Sequence, residues 1–318
     1  MSKSSLDKAI DSTGAFKKVP SVFRNWIKAD GSTRFAPEPG RYHLYVSYAC
    51  PWANRTLILR NLKGLQKVIS VDVVHWFLGG QGWYFNPEVE GCTPDTVHGY
   101  THLRQVYVEH GGDTFNGKVS VPVLFDKKNQ EIVSNESSEI LRMFNSEFNE
   151  FCETEEQKKL DLYPENLRAD IDSLNGWIFP SINVGVYKAG FARAQEPYDL
   201  AANDVFNGLD RAEEILSKTR YLTGSELTEA DVRLFVTLIR FDMVYVQHFK
   251  CNRKRITDYT NLWPYVRDIY QIPEVKETIN MEHIVKSYFV SQTNINPYGI
   301  VPINPILDFE EPHHRENM

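Results

Sequence analysis

Cys50 is the residue of this chain whose type and setting most directly suggest chemistry. It lies in Leu44-Tyr45-Val46-Ser47-Tyr48-Ala49-Cys50-Pro51-Trp52-Ala53, where an alternating apolar run gives way to helical spacing. Before it, Tyr42, Leu44 and Val46 alternate with His43, Tyr45 and Ser47, as in a strand. After it, Trp52, Leu59 and Leu62 fall near one helical face. Pro51 suits the first helical position, where its missing N–H costs nothing. Cys50 is therefore expected at or beside a helix N-cap. Unpaired N–H groups and the helix dipole there stabilise a thiolate, and a depressed thiol pKa makes a nucleophile at neutral pH. The plain alternative is a small buried cysteine packed as a hydrophobe.

Two further segments could bind rather than react. In Val119-Ser120-Val121-Pro122-Val123-Leu124 a proline interrupts a β-rich run. A cis Val121–Pro122 bond would turn the Val121 N–H and C=O outward to pair with an extended peptide; a simple edge strand accounts for the proline equally well. In Ser134-Asn135-Glu136-Ser137-Ser138-Glu139 a helix is expected to start after a strand. The Ser137 hydroxyl and the N–H groups behind it could hold a carboxylate, and Glu136 an ammonium group. Ordinary N-capping by serine is the alternative.

These residues need a scaffold. The patterns predict strand 42–48, helix 52–62 and strand 68–75, one βαβ unit. Residues 78–118 read as a Gly-rich, irregular insertion. A strand at 119–125, a turn at Asp126-Lys127-Lys128-Asn129, a paired strand at 131–134 and a helix from Ser137 follow. The order βαβ then ββα predicts a thioredoxin-like domain over 41–147, behind an arm at 1–40. Residues 147–160 read as a polar linker. Helical spacing then dominates 160–290: Leu167, Ile171, Leu174 and Ile178, then Val205, Leu209, Ala212, Ile215 and Leu216, then 232–246. Thr228-Glu229-Ala230-Asp231 has the form of a capping box opening the last of these, a structural role for Asp231. Residues 291–318 read as an extended tail. The predicted fold class is α/β plus all-α.

The net charge of −7 argues against nucleic acid as a partner. No apolar run reaches membrane-spanning length, and the first residues lack the apolar stretch of a secretory signal. Cys50, Cys92, Cys152 and Cys251 lie far apart with no C-x-x-C pair, which points to a cytoplasmic setting. No metal is expected: His313-His314 has no spaced ligand set around it.

A cysteine after the first strand, Val-Pro before a hairpin, Glu-Ser at a helix start and then a helical domain together resemble the glutathione transferase superfamily. Cys50-Pro51-Trp52-Ala53 resembles its omega-like branch. The segments Gly82-Trp83, Asn135-Glu136-Ser137-Ser138-Glu139-Ile140, Gly185 to Ala192, Leu227 to Leu234, Arg240-Phe241-Asp242, Val244 to Asn252 and Ile295-Asn296-Pro297 resemble the glutathionyl-hydroquinone reductases, or xi-class transferases. The resemblance implies Cys50 as nucleophile, Val121 beside Pro122 pairing with the glutathione backbone, and Glu136 and Ser137 on its γ-glutamyl end. It also implies Trp83 flanking glutathione and Lys118 near the glycyl carboxylate, where the family often has arginine. Tyr187, Tyr245 and Tyr288 would line a quinone pocket, with Tyr187 and Tyr288 as candidate proton donors. Glutathione is implied as co-substrate, aromatic quinone or hydroquinone conjugates as partners, and a homodimer as the assembly. The sequence departs from the family pattern at Asn54, Phe289, Gln292 and Asn304. An omega-like thioltransferase or dehydroascorbate reductase shares Cys50. A conjugating transferase normally uses Ser or Tyr in its place, and a non-catalytic binding protein of this fold usually loses the nucleophile or the Glu-Ser pair.

Overall fold

Four short strands are ordered β2-β1-β3-β4. A computed structural model gives this architecture and describes residues 9–318. β1 (Tyr42–Val46) pairs in parallel with β2 (Ser70–Val73) through the crossover helix α1 (Pro51–Leu62). On its other side β1 pairs antiparallel with β3 (Val123–Asp126), which forms a hairpin with β4 (Glu131–Ser134). The helix α3 (Ser137–Ser146) follows and packs beside α1. The βαβ-ββα order is the one the sequence pattern predicts.

Two segments read as irregular or linker, 78–118 and 147–160, carry helices. The alternation in β1 does not separate a buried from a wet face, because all five residues are buried. The insertion is the reason: it contains the helix α2 (Leu103–His110), and its preceding loop covers the face that bears His43 and Tyr45. Tyr45 donates to Asp95 Oδ1 at 3.0 Å, and Asp72 of β2 accepts from the Thr96 amide at 2.6 Å. On the opposite face Tyr42 meets Phe148 edge-on at 5.9 Å, and Phe148 abuts Phe144 of α3. The supposed linker at 147–160 likewise carries a short helix, α4 (Glu155–Lys159), opened by a capping box between Thr154 and Gln157.

Contacts divide the chain into two units that a single cut in the sequence does not reproduce. One comprises 21–161 and 277–291, the other 9–20, 162–276 and 292–318 among the described residues. The arm is thus divided at residue 20. Residues 21–27 run beside β4, with Asn25 donating to the Val133 carbonyl at 3.0 Å. The segment 277–291, including α11 (Met281–Ser291), groups with the sheet rather than with the helices preceding it in sequence. Hydrogen bonds explain this: Asn54 reaches the Thr278 hydroxyl at 2.8 Å, His283 the Glu90 carbonyl at 2.8 Å, and the Leu78 amide the Ser291 hydroxyl at 2.9 Å.

The second unit is helical: α5 (Arg168–Ile178), α6 (Gly185–Phe191), α7 (Gln195–Leu216), α8 (Glu229–Arg240), α9 (Leu262–Tyr270) and the short α10 (Pro273–Lys276). Every residue of α8 is buried, so it forms the centre of the unit. Thr228 is its N-cap; Asp231 completes the capping box by accepting from the Thr228 amide at 2.9 Å, and its other oxygen takes the Leu222 amide and the Tyr265 hydroxyl, both at 2.9 Å. The helix predicted through residue 246 instead changes at Phe241–Tyr245 into a π-helical turn. The tail is tied down by buried Arg315, which donates to the carbonyls of Leu216, Thr219 and Arg220. No helix among the described residues is long and apolar enough to cross a membrane.

Candidate active site

Cys50 is the N-cap of α1, with extended backbone angles and Pro51 next to it. Its carbonyl accepts from the Asn54 amide at 3.0 Å, the first bond of the helix, so the thiol is held at the helix mouth. Cys50 is half-buried, and its Sγ lies 3.5 Å from the Val121 carbonyl oxygen. The other three cysteines differ. Burial raises the thiol pKa of Cys92 and Cys152 and pushes that of Cys251 up to about 12, so none of them is primed to react.

The Val121–Pro122 peptide is cis. The two residues stand just outside the ladder, whose β1–β3 register reaches Tyr45 opposite Val123. The edge-strand alternative therefore gives way to a backbone corner set next to the cysteine.

At the start of α3 the cap is not a serine. The N-cap is Glu136, whose carboxylate accepts from the Ser138 amide at 3.1 Å and the Ser138 hydroxyl at 2.9 Å. Ser137 is the first helical residue. It is 2% exposed, and its hydroxyl has no hydrogen-bond partner among the described residues. A buried hydroxyl left unpaired is costly, so an acceptor supplied by a ligand fits there. Glu136 is half-buried, and its carboxylate is engaged by Ser138.

Trp83 and Lys118 are half-buried at opposite ends of the insertion; the Trp83 carbonyl accepts from the Leu103 amide at 3.0 Å, and the Lys118 amide donates to Asn116 Oδ1 at 3.1 Å. Tyr288 is buried on α11, in the same unit as Cys50. Tyr187 and Tyr245 belong to the helical unit, where their ring centroids lie 6.0 Å apart. Phe249 stacks on Tyr245 at 5.4 Å and meets Tyr187 at 5.3 Å, completing an aromatic cluster. The π-helical turn sets Tyr245 in this position, and such turns often mark functional sites. Among the described residues no group of three or more His, Cys, Asp or Glu could hold a metal ion.

Three residues joined to this site were not anticipated. Tyr107, Ser120 and Asn135 form a buried hydrogen-bonded cluster between the Val121 corner and the start of α3. The helical spacing of Leu103, Val106 and Tyr107 was the available signal inside a segment read as irregular.

Comparison with known proteins agrees with this geometry. The model of the glutathione S-transferase N-terminal domain matches residues 49–147, and that of the C-terminal domain matches residues 195–268. The chain belongs to the glutathione S-transferase family. It is 52% identical over 309 residues to the glutathionyl-hydroquinone reductase YqjG of Escherichia coli, covering 95% of this chain and 93% of that one. The xi-class transferase of Natrialba magadii superposes with a TM-score of 0.90 at 49% identity, covering 93% of this chain and 89% of that one. The glutathione-bound structure of YqjG superposes at 0.88 with 52% identity, covering 93% and 96%. Within the family the chain therefore stands in the xi-class, glutathionyl-hydroquinone reductase branch.

Proposed function

We propose that this glutathione transferase is a glutathione-dependent reductase of glutathionyl-hydroquinones that works through Cys50. The observation that carries the reading is the Cys50 thiol at the mouth of α1, 3.5 Å from the carbonyl of a backbone corner suited to pairing with a peptide. Its relatives' names supply the substrate class.

The Cys50 thiolate attacks the glutathionyl sulfur of the conjugate. The S–S bond forms as the bond from sulfur to the aromatic carbon breaks, and the carbon leaves with the electron pair. A proton completes the hydroquinone, with Tyr187 or Tyr288 as the donor. A second glutathione thiolate then attacks the glutathionyl sulfur of the mixed disulfide, releasing oxidised glutathione and restoring the Cys50 thiolate. Overall one glutathione thiol and the thioether sulfur of the conjugate become the disulfide of oxidised glutathione, while the aromatic carbon gains the electron pair and a proton, so the electrons balance without a metal or nucleotide. Val121 pairs with the cysteinyl backbone, Ser137 receives the γ-glutamyl carboxylate and Glu136 its ammonium group. Trp83 and Lys118 complete the glutathione contacts. Tyr187, Tyr245 and Tyr288 are the candidate hydroquinone-binding residues. A homodimer and a cytoplasmic setting belong to the same reading.

The test is glutathione-dependent reduction of the glutathione conjugate of menadione hydroquinone by the wild type and by Cys50→Ala. Turnover that vanishes with Cys50 supports the reading. Turnover retained in the variant refutes it. A wild type that binds glutathione but reduces only dehydroascorbate or mixed disulfides assigns the site to thiol transfer instead.

A further inference from the structure

Tyr107 is fully buried on α2 and touches neither Cys50 nor the solvent. Its hydroxyl donates to the Ser120 carbonyl at 2.8 Å and lies 3.3 Å from the Ser120 hydroxyl. The same oxygen accepts from Asn135 Nδ2 at 3.2 Å. Ser120 directly precedes the Val121–Pro122 corner, and Asn135 directly precedes Glu136 and Ser137. One oxygen atom thus bonds to both segments proposed to hold glutathione.

The partners are themselves fixed. Asn135 Oδ1 accepts from the Phe23 amide at 3.2 Å, and the Asn135 amide donates to the Phe23 carbonyl at 3.1 Å. The Tyr107 ring is met edge-on by Phe23 at 5.8 Å and at a tilt by Phe115 at 5.5 Å. A phenylalanine would keep those ring contacts. The buried hydroxyl is justified only by its bonds to the two segments, because an unpaired one is costly.

We propose that Tyr107 is a positioning residue that sets the spacing between the backbone corner at Val121 and the carboxylate site at Ser137, so that one peptide engages both. The inference rests on the glutathione reading above. A strut of this kind costs binding only when it is lost for ligands that reach both of its ends. Glutathione reaches both, whereas cysteinylglycine lacks the γ-glutamyl group and reaches only the Val121 corner.

The experiment is calorimetric titration of both thiols into Cys50→Ala, in which no mixed disulfide can form, and into Cys50→Ala/Tyr107→Phe. The expected result is a roughly tenfold loss of glutathione affinity, the worth of one buried hydrogen bond, with cysteinylglycine changed less than twofold. Equal weakening of both thiols, or no change in either, overturns the positioning role. A Cys50→Ala parent that does not distinguish the two thiols overturns the glutathione reading beneath it, and the proposal with it. Thermal unfolding checks that Tyr107→Phe is folded. If it is not, Asn135→Ala removes the same bond from the other side and is held to the same outcomes.

Discussion

The thiol of Cys50 and the carbonyl of Val121 lie 3.5 Å apart although 71 residues separate them in sequence. The proposed nucleophile and the proposed peptide-binding corner are therefore parts of one junction, formed where β1 turns into α1 beside the entry to β3. Cys50→Ser keeps a donor to that carbonyl and removes the sulfur. Reductase turnover is expected to fall by about 10⁴-fold or more, since a lost nucleophile is not replaced by the rest of the site. The glutathione dissociation constant should stay within about threefold of wild type, one hydroxyl having replaced one thiol. Steady-state assay and calorimetry on the same preparation check both; turnover near the wild-type level rules out covalent catalysis by Cys50.

Ser137 and Glu136 separate binding from folding. The Ser137 hydroxyl has no partner among the described residues, so Ser137→Ala removes nothing that holds α3. Glutathione affinity should fall about tenfold with the unfolding midpoint unchanged. Glu136 is the cap, and Glu136→Ala should lower affinity and also cost about 1 kcal/mol of stability. Chemical denaturation beside calorimetry distinguishes the two variants. An equal stability loss in both would mean that Ser137 supports the helix.

Much of this was legible in the sequence because its signals are local. A proline after a cysteine marks a helix start, and strand and helix periods give the βαβ-ββα order. The Thr228–Asp231 box forms as its spacing predicts. What the sequence hid is non-local. The polar alternates of β1 give no sign of their burial: Tyr45 bonds to Asp95 and His98 of the insertion, and His43 to Ser70 and Asp72 of β2. The segment 277–291 reads as part of the second domain, yet Asn54 and Glu90, which bond to its Thr278 and His283, lie more than a hundred residues earlier. Glu136 rather than a serine caps α3, because the carboxylate reaches the Ser138 amide first and frees Ser137. Tyr107 reads as core, since no pattern in the chain announces a hydroxyl shared by two loops.

His248 makes stability depend on pH. It is 4% exposed, its Nε2 donates to Gln292 at 2.9 Å, and burial pushes its pKa down to about 4. The unfolded chain, with the ordinary value near 6.5, binds a proton that the folded chain refuses. Stability is therefore full above about pH 6.5 and is lost as pH falls toward 4. Burial lowers His75, His110 and His283 in the same sense. Buried Asp231 and Asp242 are raised above 3.8 and act in the opposite sense, losing stability as pH rises. The His248 share is isolated by His248→Gln, which should lose about 1 kcal/mol less than wild type between pH 7.5 and 5.5. Urea unfolding at the two pH values measures it, and parallel losses would show that His248 takes up its proton without unfolding.

Asp231 closes the capping box of α8 on Thr228 and accepts from Tyr265 and Leu222 at once, so its carboxylate satisfies donors from three parts of the helical unit. Asp231→Ala leaves those donors buried and unpaired. The expected cost is about 3 kcal/mol or more, several times that of an ordinary cap, with the Tm falling accordingly. A loss near 1 kcal/mol would mean that water replaces the carboxylate.

Gly190 on α6 tests whether the aromatic cluster serves the substrate. A Cβ at this position would stand 2.1 Å from Phe249 Cδ1 and 2.2 Å from its Cγ, so even alanine must displace the ring. That ring stacks on Tyr245 and touches Tyr187, and moving it shifts both tyrosines. Overpacking of this kind costs about 1–3 kcal/mol. Gly190→Ala should also lower kcat/KM for the hydroquinone conjugate by about tenfold or more, because displacement of positioning groups by an ångström is felt strongly in catalysis. Glutathione affinity should be unchanged, since Val121, Glu136 and Ser137 belong to the other unit. Denaturation, calorimetry and kinetics on one preparation give the three readings. Lower stability with unaltered kcat/KM would make the cluster core alone and remove Tyr187 and Tyr245 from the substrate site.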